Sequence, residues 1–95
     1  MIAEIDGLKI QSEADFHKEI AQALNFGPYY GKNLNALWDV LSRDVERPVS
    51  LVWKNADISQ KSMPAEFEKI VDLLRDVEKE DAAYGTSERF ELIVQ

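Results

Sequence analysis

Apolar residues return along this chain with two different periods, and the changes of period mark its elements. Met1 to Ile5 alternates loosely and stops at the turn dipeptide Asp6-Gly7, which predicts a short strand. Ser12 is placed to cap a helix, with Asp15 three residues on in a variant of the capping box. Phe16, Ile20 and Leu24 then recur every four residues, so an amphipathic helix is predicted over 13–25. Gly27-Pro28 is expected to end it, because proline lacks the N–H that would continue the ladder. Tyr29 to Lys32 is a short connection, and Asn33 can cap a second helix. Leu34, Leu37, Trp38, Leu41 and Val45 carry that helix over about 34–45, and Arg47-Pro48 breaks it. Val49 to Lys54 has apolar groups at both parities and predicts a strand covered on both faces, as in a central or parallel strand. Asn55 to Met63 is polar, with one short helical turn expected. Pro64 opens a long helix with Phe67, Ile70, Val71, Leu74 and Val77 on its apolar face, fading near Asp81. Ala82 to Ser87 reads as a loop around Gly85, and Phe90, Leu92 and Val94 alternate with Glu91, Ile93 and Gln95 in a closing strand.

Strands separated by helices favour parallel pairing. The predicted fold is therefore α/β, a small three-stranded parallel sheet with helices on one face. The alternative is an α+β arrangement in which one strand runs antiparallel. At 95 residues the chain is expected to form a single domain spanning 1–95.

Composition narrows the function. There is no cysteine, so disulfides, thiolate metal sites and cysteine nucleophiles are excluded. Eighteen acidic residues against eleven basic ones leave a net charge of −7. That balance argues against holding nucleic acid by its phosphates and favours a basic partner. No apolar run is long enough for a membrane span, and Met1-Ile2-Ala3-Glu4 lacks the character of a signal peptide. A cytoplasmic protein without a membrane partner is expected.

The acidic excess is concentrated. Residues 66–81 hold seven acidic side chains against three basic ones, and Glu68, Asp72, Asp76 and Glu80 fall four apart. Like charges at that spacing weaken a helix by about 0.2–0.5 kcal/mol per pair. Asp76, Glu78, Glu80 and Asp81 also meet the unfavourable end of the helix dipole. For an acidic helix taken alone, the commoner reading of such a stripe is a solvated face, softened here by Arg75 and Lys79. On the second helix, Asn35 and Asp39 lie one turn apart, roughly opposite Leu37, with Ser42 and Arg43 extending the same neighbourhood. A carboxylate flanked by Tyr and Trp has the character of an interface centre. The competing reading packs Trp38 and both tyrosines into the core, and at least one of Tyr29 and Tyr30 is expected to be buried.

The block Tyr29-Tyr30-Gly31-Lys32-Asn33-Leu34-Asn35-Ala36-Leu37-Trp38-Asp39 resembles the signature of the barstar family of ribonuclease inhibitors. The likeness extends over almost the whole chain, through Asp6-Gly7, Asp15, His17, Pro48 and the long acidic helix. It implies a small three-stranded parallel sheet covered by helices, no catalysis and no cofactor. It further implies that the second helix and its preceding connection plug the active site of a secreted microbial-type ribonuclease in a 1:1 complex. Carboxylates would then stand where the substrate phosphate lies. By this resemblance Asp39 is the central anchor and Tyr29 stacks near the catalytic imidazole. Gly31, Asn33, Leu34, Ala36, Trp38 and Ser42 surround them, and Asp76 and Glu80 add acidic contacts. Pro48 matches a proline preceded by a cis peptide bond. Asn35 departs from the pattern, which has aspartate there, so a hydrogen-bond acceptor remains without its charge. Asp76 is one methylene shorter than the family's glutamate. Arg43 puts a cation beside the anchor, which fits a partner with a different basic surface.

Three other readings compete. One is an immunity protein for a nuclease toxin of another fold, keeping the same acidic face. Another is an enzyme using Asp39 with Asp76 or Glu80 as an acid–base pair, against which the small size and lone His17 weigh. His17 itself is expected to face solvent. The third is a cation site among the acids, but no Asp-x-Asp-x-Asp-Gly loop is present and no metal is expected.

Overall fold

A computed structural model describes residues 1–85 and 87–95. The chain runs through β1 (Ile2–Asp6), a 3-10 turn (Gly7–Lys9), α1 (Glu13–Leu24) and α2 (Leu34–Arg43). It continues through β2 (Val49–Lys54), α3 (Ala56–Ser62), α4 (Pro64–Ala83) and β3 (Phe90–Val94). The strands form one sheet in the order β1-β2-β3, and both pairings are parallel. The α/β expectation holds, and the antiparallel alternative does not.

Local sequence explains most boundaries. Ser12 caps α1 by accepting from the Asp15 amide at 3.1 Å, while the Asp15 carboxylate reaches back to the Gln11 amide at 3.0 Å. The return bond lands on Gln11, one residue before the cap. The end of α1 comes sooner than expected. Asn25 turns into the left-handed region at φ 56°, and the Phe26 amide closes back on the Ala21 carbonyl. Gly27-Pro28 therefore follows the stop instead of causing it. Helix α2 ends at Arg43, two residues before Val45, and α4 runs two residues past Asp81. The segment after β2 forms α3, seven residues long, where a single turn was expected. Of the loop expected over 82–87, Ala82 and Ala83 belong to α4, and Thr86 lies outside the described residues.

The core lies between one face of the sheet and the helices. Ala3, Ile5, Val49, Leu51, Trp53, Phe90 and Leu92 point into it from the strands. Phe16 and Ile20, Leu37 and Leu41, and Phe67, Ile70, Leu74 and Val77 meet them from the helices. Burial of side chains this large contributes about 1.5–3 kcal/mol each. Trp53 stacks on Phe16 at 5.2 Å between ring centroids and tilts against Phe67 at 5.0 Å. Its indole N–H is, among the described residues, the one buried side-chain nitrogen or oxygen without a hydrogen-bond partner. Packing, not a polar contact, accounts for its place.

The opposite face of the sheet is bare, which corrects the expectation that β2 is covered on both sides. Ile2 and Glu4 are exposed there, and Ser50 and Ile93 are half-covered. Val52 is buried yet outside the core. Its register neighbours are Glu4 and Ile93, and Glu4 pairs with Lys54 at 3.0 Å on the same face. Flanking side chains shield it where no helix does.

At one end of the sheet, β1 and β2 are latched. Asn55 donates to the Asp6 carboxylate at 3.0 Å, and Ser59 donates to the Gly7 carbonyl at 3.2 Å. A side chain at Gly7 would run into the Asn55 carbonyl, so only glycine permits this approach. The Arg47–Pro48 peptide bond is cis, as the resemblance implied.

The edge strand β3 is closed by side chains of α4. Asp81 accepts from the Phe90 amide at 2.7 Å, and Glu78 accepts from the Leu92 amide at 2.7 Å. Arg75 donates to the Leu92 carbonyl at 3.0 Å and pairs with Glu78 at 2.9 Å. Arg47 clamps Asp81 from the start of β2, with Nε at 2.7 Å. Burial by itself would raise the pKa of Asp81. The hydrogen bonds from Arg47 and the Phe90 amide, with the charges of Arg47 and Arg89, outweigh burial and hold the carboxyl below its ordinary 3.8.

A depressed carboxyl pKa contributes stability that is complete above the unfolded-state value and is lost as pH falls through the folded-state value. Asp81→Asn is therefore expected to cost about 1.5–3 kcal/mol at pH 7, the scale of charge-assisted hydrogen bonds. Below a pH of about 4 the gap from the parent should narrow. Urea denaturation of both proteins at pH 7 and pH 3 checks this, and an equal gap at both would contradict it.

Candidate functional site

The candidate residues on the first half of the chain are presented by the connection 28–33 and by α2. Asn33 caps that helix, its side-chain oxygen accepting from the Ala36 amide at 2.8 Å. Its amide nitrogen donates to the Gly31 carbonyl at 3.4 Å. A Cβ on Gly31 would sit 3.0 Å from that of Ala36, so a larger residue would push the connection off the helix. Leu37 and Leu41 fasten α2 to the core, with Leu34, Ala36 and Trp38 half-buried beside them. Asn35, Asp39 and Ser42 stand on the exposed side at helical spacing.

The two adjacent tyrosines have opposite fates. Tyr30 is buried at 8% exposure and Tyr29 is 97% exposed. One of the pair is thus core, as expected, and the other is offered to solvent. Tyr30 tilts against Phe26 at 4.8 Å, and its hydroxyl lies 2.7 Å from His17 Nδ1. His17 Nε2 is 2.9 Å from the Glu13 carboxylate. Burial, and secondarily the negative charge of Glu13, push the Tyr30 hydroxyl well above its ordinary pKa of 10.0. Tyr30 therefore keeps its proton, and its hydroxyl and the Glu13 carboxylate occupy the two ring nitrogens of His17.

This places His17 in the interior at 1% exposure, contrary to the expectation of a solvent-facing residue. The reason is geometric. His17 falls three residues before Ile20 and seven before Leu24, on the buried side of α1, and Phe16 and Tyr30 close over its ring. Its spacing and the Glu13 one turn earlier were signals for such a buried, doubly bonded histidine. The chain Tyr30–His17–Glu13 ties the connection to α1, so that Tyr29 leaves from an anchored base.

The remaining candidates, Asp76 and Glu80, are exposed on α4. That helix packs against α2. Their neighbours Glu78 and Asp81 are committed to β3, whereas the carboxylates of Asp76, Glu80 and Asp39 have no hydrogen-bond or ion-pair partner among the described residues. The acidic run thus divides into structural acids and free ones, which its sequence did not distinguish. No group of three or more potential metal ligands is assembled among the described residues. No helix among them is long and apolar enough to cross a membrane.

Two comparisons with known proteins bear on this surface. The family described as "Barstar (barnase inhibitor)" matches residues 1–93. The chain is also 29% identical over 91 residues to a protein of Bacillus subtilis (strain 168). The match covers 96% of this chain and 94% of that relative, which is named "Putative ribonuclease inhibitor YrdF".

The anchored-base arrangement has a direct test. Tyr30→Phe leaves His17 Nδ1 buried without its hydrogen-bond partner and should cost about 1–3 kcal/mol. Tyr29→Ala should change stability by less than about 0.5 kcal/mol, as for other exposed positions. Chemical denaturation of the two variants separates them, and equal losses would contradict the division of roles.

Proposed function

This chain belongs to the barstar family, and we propose that it inhibits a ribonuclease by occupying the enzyme's active site with α2 and the connection before it. The observation that carries the reading is the free Asp39 carboxylate, exposed on a helix whose other side is locked in the core. A ribonuclease must hold phosphates and so gathers cations where RNA lies. Asp39 is placed to accept charge-assisted hydrogen bonds from such a centre, in the position a phosphate would take. Tyr29 supplies a broad exposed ring from the connection before α2, and Gly31, Asn33, Leu34, Asn35, Ala36, Trp38 and Ser42 complete the proposed surface. Asp76 and Glu80 add negative potential from α4, which speeds encounter with a basic enzyme more than it tightens the final complex.

The rest of the reading follows from this role. Residues 1–95 act as one domain and as a binding protein without catalysis of their own. One inhibitor meets one secreted nuclease. The chain acts in the cytoplasm as an antitoxin or immunity protein, guarding the RNA of the cell that makes the enzyme. The name of the Bacillus subtilis relative points to the same class of target.

An RNA-cleavage assay with a microbial guanyl-preferring ribonuclease and an equimolar amount of this protein tests the proposal. Inhibition should be stoichiometric, and Asp39→Ala should weaken it by about a hundredfold or more with the fold intact. Full inhibition by the variant would remove Asp39 from the site. No inhibition by the parent would shift the target to a nuclease toxin of another fold. Raising salt should slow association much more than it speeds dissociation. A stopped-flow association rate that ignores salt would contradict the steering role.

A further inference from the structure

The charge on the exposed side of α2 does not follow the charge of the chain. The whole protein carries −7, yet the charged residues from Tyr29 to Arg43 are Lys32, Asp39 and Arg43 alone. All three are exposed, and none of their side chains has an ion-pair or hydrogen-bond partner among the described residues. Asp39 and Arg43 are one turn apart on the same side of the helix without closing the ion pair that this spacing allows. Lys32 has a fixed origin as well. Its φ of 55° puts it in the left-handed region between Gly31 and the cap Asn33, so its side chain departs just before the first turn.

Helix stability explains only one of these cations. Arg43 suits the C-terminal turn of α2, but Lys32 stands at the end where a positive charge is unfavourable. The acids that follow, Asp44 and Glu46, line a separate hollow with Met1, Leu24 and Phe26. Asn35 is neutral. Two further free carboxylates, Asp76 and Glu80, stand exposed on α4, the helix that packs against α2.

A surface that is positive, negative and positive in succession is a poor complement to a face that is cationic throughout. Like charges brought together across an interface slow encounter and reject the wrong partner. We infer that Lys32 and Arg43 are specificity determinants of this face. They fit it to a ribonuclease that sets acidic side chains beside the cationic centre met by Asp39, and they act against one that is cationic throughout. This inference rests on the reading of α2 as the inhibitory face.

Barnase, named in the description of the family, serves as the probe, since a ribonuclease gathers cations where it holds RNA phosphates. Its association with the parent chain, with Lys32→Glu/Arg43→Glu, and with each of these carrying Asp39→Ala is followed by stopped flow at low and high salt. The double charge reversal should associate about tenfold faster or more at low salt, lose most of that gain at high salt, and lose binding when Asp39→Ala is added. If the reversal brings no gain while Asp39→Ala still weakens the parent, the specificity inference fails and the inhibitory face stands. If the gain survives Asp39→Ala undiminished, the charges act as inferred but the anchor does not. Absence of binding in every variant overturns both. Circular dichroism and urea midpoints of each variant exclude loss of fold as the cause.

Discussion

An edge strand in a sheet leaves a row of backbone donors and acceptors that must find partners, and here a helix supplies them. Glu78 and Asp81 take the Leu92 and Phe90 amides, and Arg75 returns a donor to the Leu92 carbonyl. Three side chains at three-residue spacing thus do for β3 what a further strand would do. This clasp determines the rotation of α4 about its own axis. Once Arg75, Glu78 and Asp81 face β3 and Leu74 and Val77 face the core, Asp76 and Glu80 have only solvent to face. The position of the free acids is a by-product of closing the sheet.

The same division recurs on the first half of the chain. Tyr30 is spent on the interior, where its hydroxyl bonds His17, itself held by Glu13, and Tyr29 is released outward. Leu37 and Leu41 hold α2 down, while Asp39 remains unpaired. In each case one residue of a near pair is committed to the fold so that its neighbour is presented on a rigid base. Preorganised presentation matters because an interface gains little from a group that must first be ordered.

How much of this was legible in sequence depended on range. Ser12, Asn33 and Pro64 act within a turn of their own position, and they mark the starts of α1, α2 and α4 as read from spacing. Val49–Lys54 was recognisable as a strand because its apolar content is local. The failures involve partners far away in the chain. Asp81 reads as an acid misplaced on a helix until Arg47 and Phe90 arrive beside it. His17 is the exception, because its helical spacing and Glu13 one turn earlier already pointed inward, and only its second partner, Tyr30, lay beyond local range. Val52 suggested a covered face because its shielding by Glu4, Lys54 and Ile93 needs three strands to exist. The candidate contact surface was readable as a motif and as exposure at helical spacing. The commitment of Glu78 and Asp81, as against the freedom of Asp76 and Glu80, was not.

The bare face of the sheet gives the molecule a practical front and back. The helices, with the candidate surface on α2, form one layer, and the exposed positions of the strands form the other. The chain contains no cysteine, so a single thiol introduced at Glu91, whose register neighbour is Ser50 on that open face, would be chemically unique. A surface tether or fluorophore attached there leaves the helical layer unobstructed. The protein can in this way be immobilised in one orientation, with every copy turning the same side to whatever flows past it.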